Sequence, residues 1–253
     1  MLLTIDVGNT STGLGIFDKD KLIKKFRISS DRTNFSDYYE RVFSELKSEF
    51  NVKDCIIASV VDEITNSVKS AADKVFRINS LNVTPDINTG NALKMPYKKG
   101  LGADRIVNAY WAAANCQKPV IVVDMGTATT LDIINKNGEF IGGVIAAGIK
   151  TQLKALHDFT SKLPELEPDK SEFAMGTDTK SAIMSGVIRG SAYAIDGLIK
   201  KCEEELGKKA TVVATGGYCE LLSEYAQRKF DLVNPDLTLD GLRLLYELNK
   251  VGV

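Results

Sequence analysis

The chain has 253 residues, 44% of them hydrophobic and 26% charged, the balance of a globular protein able to bury a core. Its 32 basic and 33 acidic residues leave a formal charge of -1, so no overall field draws a polyanion and nucleic acid is not an expected partner. The longest apolar stretches, such as Val120 to Val123 and Val144 to Ala147, fall far short of the roughly 20 residues that span a bilayer.

In chain order, Leu2 to Ile5, Thr12 to Phe17 and Lys21 to Ile28 read as three strands of a meander, the last two joined at the turn signal DKDK. Met1 to Ile5 runs into Asp6 and Gly8 without the basic flank of a signal peptide, and a cytoplasmic location is expected. Asp37 to Phe50 and Ile64 to Val75 have helical periodicity and enclose a buried strand, Cys55 to Val61. Pro85 to Leu101 is polar and irregular, with Gly90, Pro96 and Gly100 as breakers, and Ala103 to Asn115 resumes as a helix.

After Pro119 the order begins again. VIVVDMG, TATTLDII and FIGGVIA form a second meander, with Asn137-Gly138 as a hairpin turn. A long helix over Ser181 to Leu206, a strand over Ala210 to Ala214, and helices over Cys219 to Arg228 and Leu239 to Asn249 complete the chain. Cys55, Cys116, Cys202 and Cys219 are widely spaced, with no CxxC pair and no metal-ligand spacing to the single histidine, His157. Reduced thiols follow, with Cys55 in the core. His157 follows LKAL in a helical pattern and is expected to face solvent.

IDVGNTSTGLGIFD and VDMGTATTLDIIN both place Asp-x-Gly-(Asn/Thr) between two strands. Unrelated glycine hairpins are common, but the Asp at the same offset and the hydroxyl residues on both return strands favour an internal duplication. Glycine in such a turn lets backbone N–H groups approach phosphate oxygens, and Asn9, Thr10, Ser11, Thr127 and Thr129 add donors. A carboxylate beside those phosphates requires a cation, so Asp6 and Asp124 imply metal ions. No GxxxxGK[ST] segment is present, which excludes the P-loop.

These features resemble the actin, hexokinase and Hsp70 superfamily. Within it, DVGNT at Asp6 to Thr10, GADR at Gly102 to Arg105 and DMGTATT at Asp124 to Thr130, in that order, resemble type III pantothenate kinase. Further similarity lies in GGVIAAGI at Gly142 to Ile149, GTDTKSAIMSG at Gly176 to Gly186 and ATGG at Ala214 to Gly217, so the likeness covers nearly the whole chain. It implies an α/β fold of two duplicated ribonuclease H-like, or actin-like ATPase, lobes, each a mixed sheet flanked by helices. The lobes are expected over 1–117 and 118–253.

The implied activity is ATP-dependent phosphorylation of pantothenate to 4'-phosphopantothenate, the first step of coenzyme A biosynthesis. Asp104 would be the catalytic carboxylate. At a helix start beside Arg105, it is expected to stay readily ionised and to be a weak base. Arg105 would hold the pantothenate carboxylate through a two-pronged contact, and Tyr97, Gly102, Ala103 and Thr179 would complete the substrate pocket. Asp6, Val7, Gly8, Asn9, Thr10, Ser11, Thr12, Gly13, Thr127, Gly216 and Gly217 would bind ATP. Asp6 would orient Mg²⁺ through water, and Asp124 would hold a monovalent cation, K⁺ or NH₄⁺.

Several of these positions have plainer readings. Asp104 and Thr179 are each also suited to capping a helix, and Gly216-Gly217 to a strand-to-helix turn. YKKGLG at Tyr97 to Gly102 lacks the proline that many relatives carry there. Ala182, Gly186, Gly190, Ser191 and Ala194 permit either close packing within a lobe or the homodimer that the family implies. A kinase for another small hydroxy acid or polyol, or a non-catalytic nucleotide-binding regulator, are the alternative functions.

Overall fold

The structure is a computed structural model describing residues 1–30, 35–96 and 100–250. It contains two five-stranded sheets of the same construction. In the first, β1 (Leu2–Val7), β2 (Ser11–Asp18) and β3 (Lys21–Ser29) form an antiparallel meander. β4 (Asp54–Ser59) and β5 (Leu81–Asn82) add in parallel on the other side, giving the order β3-β2-β1-β4-β5. β1 is covered on both faces, which is why LLTIDV reads as an almost continuous apolar run. Two helices, α1 (Phe35–Glu49) and α2 (Asp62–Phe76), enclose a core of Leu3, Ile5, Leu14, Tyr39, Phe43, Ile57 and Val68.

The second sheet repeats this plan with β6 (Val120–Met125), β7 (Ala128–Ile134), β8 (Phe140–Ala147), β9 (Thr211–Thr215) and β10 (Leu232–Val233), in the order β8-β7-β6-β9-β10. The repetition extends to the irregularities. A bulge leaves Ile23 unpaired next to Ile16, and another leaves Ile141 unpaired next to Ile133. Ile16 pairs with Leu3 and Ile133 with Ile121, so each bulge lies opposite the position three residues before the strand-end aspartate. Bulges are local features that two unrelated hairpins would not share in register.

Between the sheets in sequence runs α3 (Ala103–Asn115); after β8 come α4 (Ile149–Asp158), α5 (Thr179–Met184), α6 (Gly190–Leu206) and α7 (Cys219–Ser223), and α8 (Leu237–Asn249) closes the chain. The helix expected over Ser181 to Leu206 starts two residues earlier and is interrupted by a π-helical turn, Ser185–Arg189. Helix α7 is shorter than the expected Cys219 to Arg228. The described segment before α3 has only an isolated bridge, Lys94 to Glu139. His157 is half-buried, its Nδ1 2.9 Å from the Leu163 carbonyl oxygen, rather than turned to solvent.

The chain falls into two compact units. One contains residues 1–93, 97–111 and 237–253, and the other contains 94–96 and 112–236. The first therefore includes α8, which packs on β1, β2 and β4. Gly241 brings α8 against Val107 and Trp111, where a β-carbon would come within 2.7 Å of Val107 Cγ1. The Trp111 indole N–H donates to Asp240 at 2.6 Å, Thr238 Oγ1 to Asn108 at 2.8 Å, and Arg243 pairs with Asp240 at 2.7 Å. No described helix is long and apolar enough to cross a membrane.

Candidate active site

The first glycine turn joins β1 to β2. Gly8 N–H donates to Ser11 O at 3.1 Å, and a β-carbon on Gly8 would approach that oxygen to 3.0 Å. Asn9 and Thr10 are exposed at the tip. Ser30, at the end of β3, braces the turn from behind: its Oγ donates to Gly8 O at 2.7 Å and its N–H to Thr10 O at 3.2 Å. Thr12 is buried, with Oγ1 3.0 Å from Ser30 Oγ and 3.3 Å from Tyr39 OH. Its side chain thus supports the turn from inside. Asp6 is half-buried and pairs across the hairpin with Gly13, which lies against Leu239 of α8; Val7 points into the core, and Ser11 Oγ accepts a long bond of 3.5 Å from Arg27.

The GADR segment begins α3 in the same unit. Gly102 O accepts from Ile106 N–H at 3.1 Å, opening the helix, and Ala103 is buried. A β-carbon on Gly102 would lie 2.7 Å from Asp104 Oδ1 and 3.3 Å from Val60 Cγ1. Val60 N–H donates to Val7 O at 3.1 Å, so Gly102 and Asp104 are set near the end of β1. Asp104 Oδ1 accepts from Arg105 N–H at 2.7 Å. Burial pushes the Asp104 carboxyl above the ordinary carboxylate range, against the opposing pull of the Arg105 amide and charge. The expectation of a weak base is therefore corrected: desolvation outweighs the helix terminus and the arginine.

In the second unit the glycine turn is one residue shorter, with Gly126 N–H donating to Ala128 O at 3.0 Å. Thr127 is exposed, and its carbonyl oxygen accepts from Gly148 N–H at 3.0 Å and Thr151 Oγ1 at 2.7 Å. Gly148 presses on the carbonyls of Gly126 and Thr127, where a β-carbon would come within 2.6 Å of Thr127 O. Only glycine fits there. The motif GGVIAAGI assigns Gly148 no role; its signal is a glycine between a strand and the helical pattern that contains LKAL. Asp124 is half-buried and Thr129 is buried.

After β9, Gly216 adopts φ +90°, and a β-carbon there would collide with Asp124 Oδ1 and with Met125 N at 2.5 Å. Tyr218 N–H then donates to Met125 O at 3.1 Å, tying this loop to the end of β6, while Gly217 is exposed. Thr179 is exposed as the first residue of α5. The cap is Asp178, whose Oδ1 accepts from Ser181 N–H at 3.0 Å while its own N–H donates to Ser181 Oγ at 3.1 Å. Tyr97 lies outside the described residues.

Two repeated sheets, each ending its central strand in Asp-x-Gly before a glycine turn, build the actin-like ATPase fold. An inorganic polyphosphate/ATP-glucomannokinase from Arthrobacter sp. strain KM matches with TM-score 0.52 over 98% of both chains at 14% identity. A Campylobacter jejuni protein assigned to the Baf family of transcriptional activators matches with TM-score 0.63, again over 98% of both chains, at 24% identity. Both likenesses concern the fold.

Residues 2–201 match the type III pantothenate kinase family. A type III pantothenate kinase from Dehalococcoides mccartyi (strain CBDB1) is 40% identical over 255 residues, covering 99% of this chain and 97% of the relative. The chain belongs to the type III pantothenate kinase family.

Proposed function

We propose that this kinase transfers the γ-phosphoryl group of ATP to the primary hydroxyl of pantothenate, giving 4'-phosphopantothenate for coenzyme A synthesis in the cytoplasm. The observation that carries the reading is the half-buried carboxylate of Asp104 at the start of α3, held near the end of β1 through Gly102 and Val60. A carboxylate with a raised pKa is a better proton acceptor than an exposed one. Because phosphoryl transfer demands little of the base until late, Asp104 first orients the hydroxyl and then takes its proton. Arg105 pairs with the pantothenate carboxylate, and Gly102, Ala103, Tyr97 and Thr179 line the acceptor pocket.

Gly8, Asn9, Thr10 and Ser11 offer donors to ATP phosphates, as does Thr127. Val7, Thr12 and Gly13 shape the first turn, and Gly216 and Gly217 approach the adenosine. Two groups of residues fit cations. Asp6, half-buried beside the turn and opposite a glycine, suits Mg²⁺ held through water. Asp124 has its carboxylate in space that only glycine at 216 leaves open, which suits a monovalent ion, K⁺ or NH₄⁺. When bound, these cations offset phosphate charge in place of a P-loop lysine.

A homodimer completes the reading. Ala182, Gly186, Ala194 and Gly197 are exposed, and among the described residues a side chain added at Gly186, Gly190 or Gly197 would meet nothing within 4 Å. That is inconsistent with close packing at those glycines within one lobe. Ile141 and Ile145 on the edge strand β8 are also exposed, at 46% and 66%, a liability unless covered. Measuring ATP consumption with pantothenate against a panel of small hydroxy acids and polyols tests the substrate. Turnover confined to another acceptor would overturn it.

A further inference from the structure

Thr215, the last residue of β9, is 1% exposed, and its hydroxyl is one of the few buried side-chain oxygens with no hydrogen-bond partner among the described residues. Buried hydroxyls are ordinarily paired, and leaving one bare is costly. Strand propensity favours threonine and valine alike, so it does not account for a bare buried hydroxyl where Val213, two residues earlier on the same face of β9, is a valine.

The location of the hydroxyl supplies a reason. Thr215 and Asp124 are register partners in the parallel β6–β9 ladder, so their side chains stand on the same face of the sheet. Asp124 Oδ1 occupies the place where a side chain on Gly216 would be, which brings the carboxylate toward the β9 side. A carboxylate and a neutral hydroxyl are thus neighbours, and no hydrogen bond consumes the hydroxyl. One negative charge with neutral oxygens is a poor match for Mg²⁺, which keeps its water and demands octahedral geometry. It matches a monovalent ion whose hydration is replaced by neutral protein oxygens.

We propose that the Thr215 hydroxyl is a ligand of the monovalent cation assigned to Asp124, and that it favours potassium over sodium at that position. This rests on the cation reading of Asp124 given above.

The test is thermal unfolding of the full chain with a non-hydrolysable ATP analogue, titrated with potassium or sodium at constant ionic strength. The wild type is expected to gain stability with potassium beyond that given by sodium. Thr215→Val keeps the shape and removes the unpaired hydroxyl. Its melting temperature in sodium should equal or exceed that of the wild type, while the potassium concentration giving half the gain rises at least tenfold. Thr215→Ser should restore the wild-type curve, and Asp124→Asn should abolish the potassium gain. A wild-type potassium response in Thr215→Val would overturn the role of Thr215 while leaving Asp124 in place. No potassium-specific gain in the wild type would remove the cation reading and this inference together.

Discussion

Asp124 and Gly216 divide one small volume: the carboxylate Oδ1 fills the space that any side chain at position 216 would take. Gly216 also holds φ +90°, a conformation that residues with a β-carbon adopt only under strain. Gly216→Ala is therefore expected to cost about 2 kcal/mol or more, from strain and collision together. It should also weaken ATP binding by displacing Asp124. Urea midpoints and nucleotide titration check both effects.

Asp104→Asn should retain ATP binding and lose about 10²- to 10⁴-fold in kcat, the usual worth of a positioned base. Its stability should move the other way. The folded-state pKa of Asp104 is raised by burial, so the ionised form costs stability. That cost is absent below the unfolded carboxylate range, grows as pH rises through the folded pKa, and is fully present above it. The variant should thus melt higher than the wild type near neutral pH, and the gap should close as pH falls toward about 4. In the wild type the acid limb of kcat should lie above the ordinary carboxylate range.

Ser30→Ala removes the brace behind the first glycine turn, leaving Gly8 O and Thr12 Oγ1 without the bonds of 2.7 and 3.0 Å that Ser30 supplies. The expected loss is about 1–3 kcal/mol. The KM for ATP should rise more than that for pantothenate. Steady-state kinetics with each substrate varied in turn separates the two.

Asp240→Ala leaves the Trp111 indole N–H and the largely buried Arg243 without their shared acceptor. Because α8 is held on α3 and the first sheet partly by this residue, a loss of about 2 kcal/mol or more is expected. Asp240→Asn should recover part of it by accepting the indole bond. Thermal or denaturant unfolding of both variants measures the difference.

The two meanders and both Asp-x-Gly turns were legible in the sequence because alternation, turn residues and a repeated motif are local signals. The bulges were not, since Ile23 and Ile141 are ordinary strand residues whose lack of a partner depends on register. Nor did the apolar face of LTLDGLRLLYEL say which sheet it covers; its packing on β1, β2 and β4 is decided by contacts far apart in sequence.

In the candidate site the glycines and aspartates stand in local motifs, whereas Ser30 and Tyr39 behind the first turn do not. Ser30, Thr12 and Tyr39 form a buried polar cluster that carries no periodic signature. From the sequence, Asp104 is a readily ionised carboxylate at a helix start beside Arg105. Its burial comes from tertiary packing, and that burial reversed the expected direction of its pKa.

The most direct measurement is transfer of label from γ-labelled ATP to pantothenate with Mg²⁺ and potassium, in wild type and Asp104→Asn side by side. Labelled 4'-phosphopantothenate from the wild type, with Asp104→Asn binding ATP but forming less by about 10²-fold or more, is the expected result. Folded wild type that binds ATP yet labels no pantothenate would contradict the kinase assignment, and equal labelling by both proteins would remove Asp104 from the chemistry.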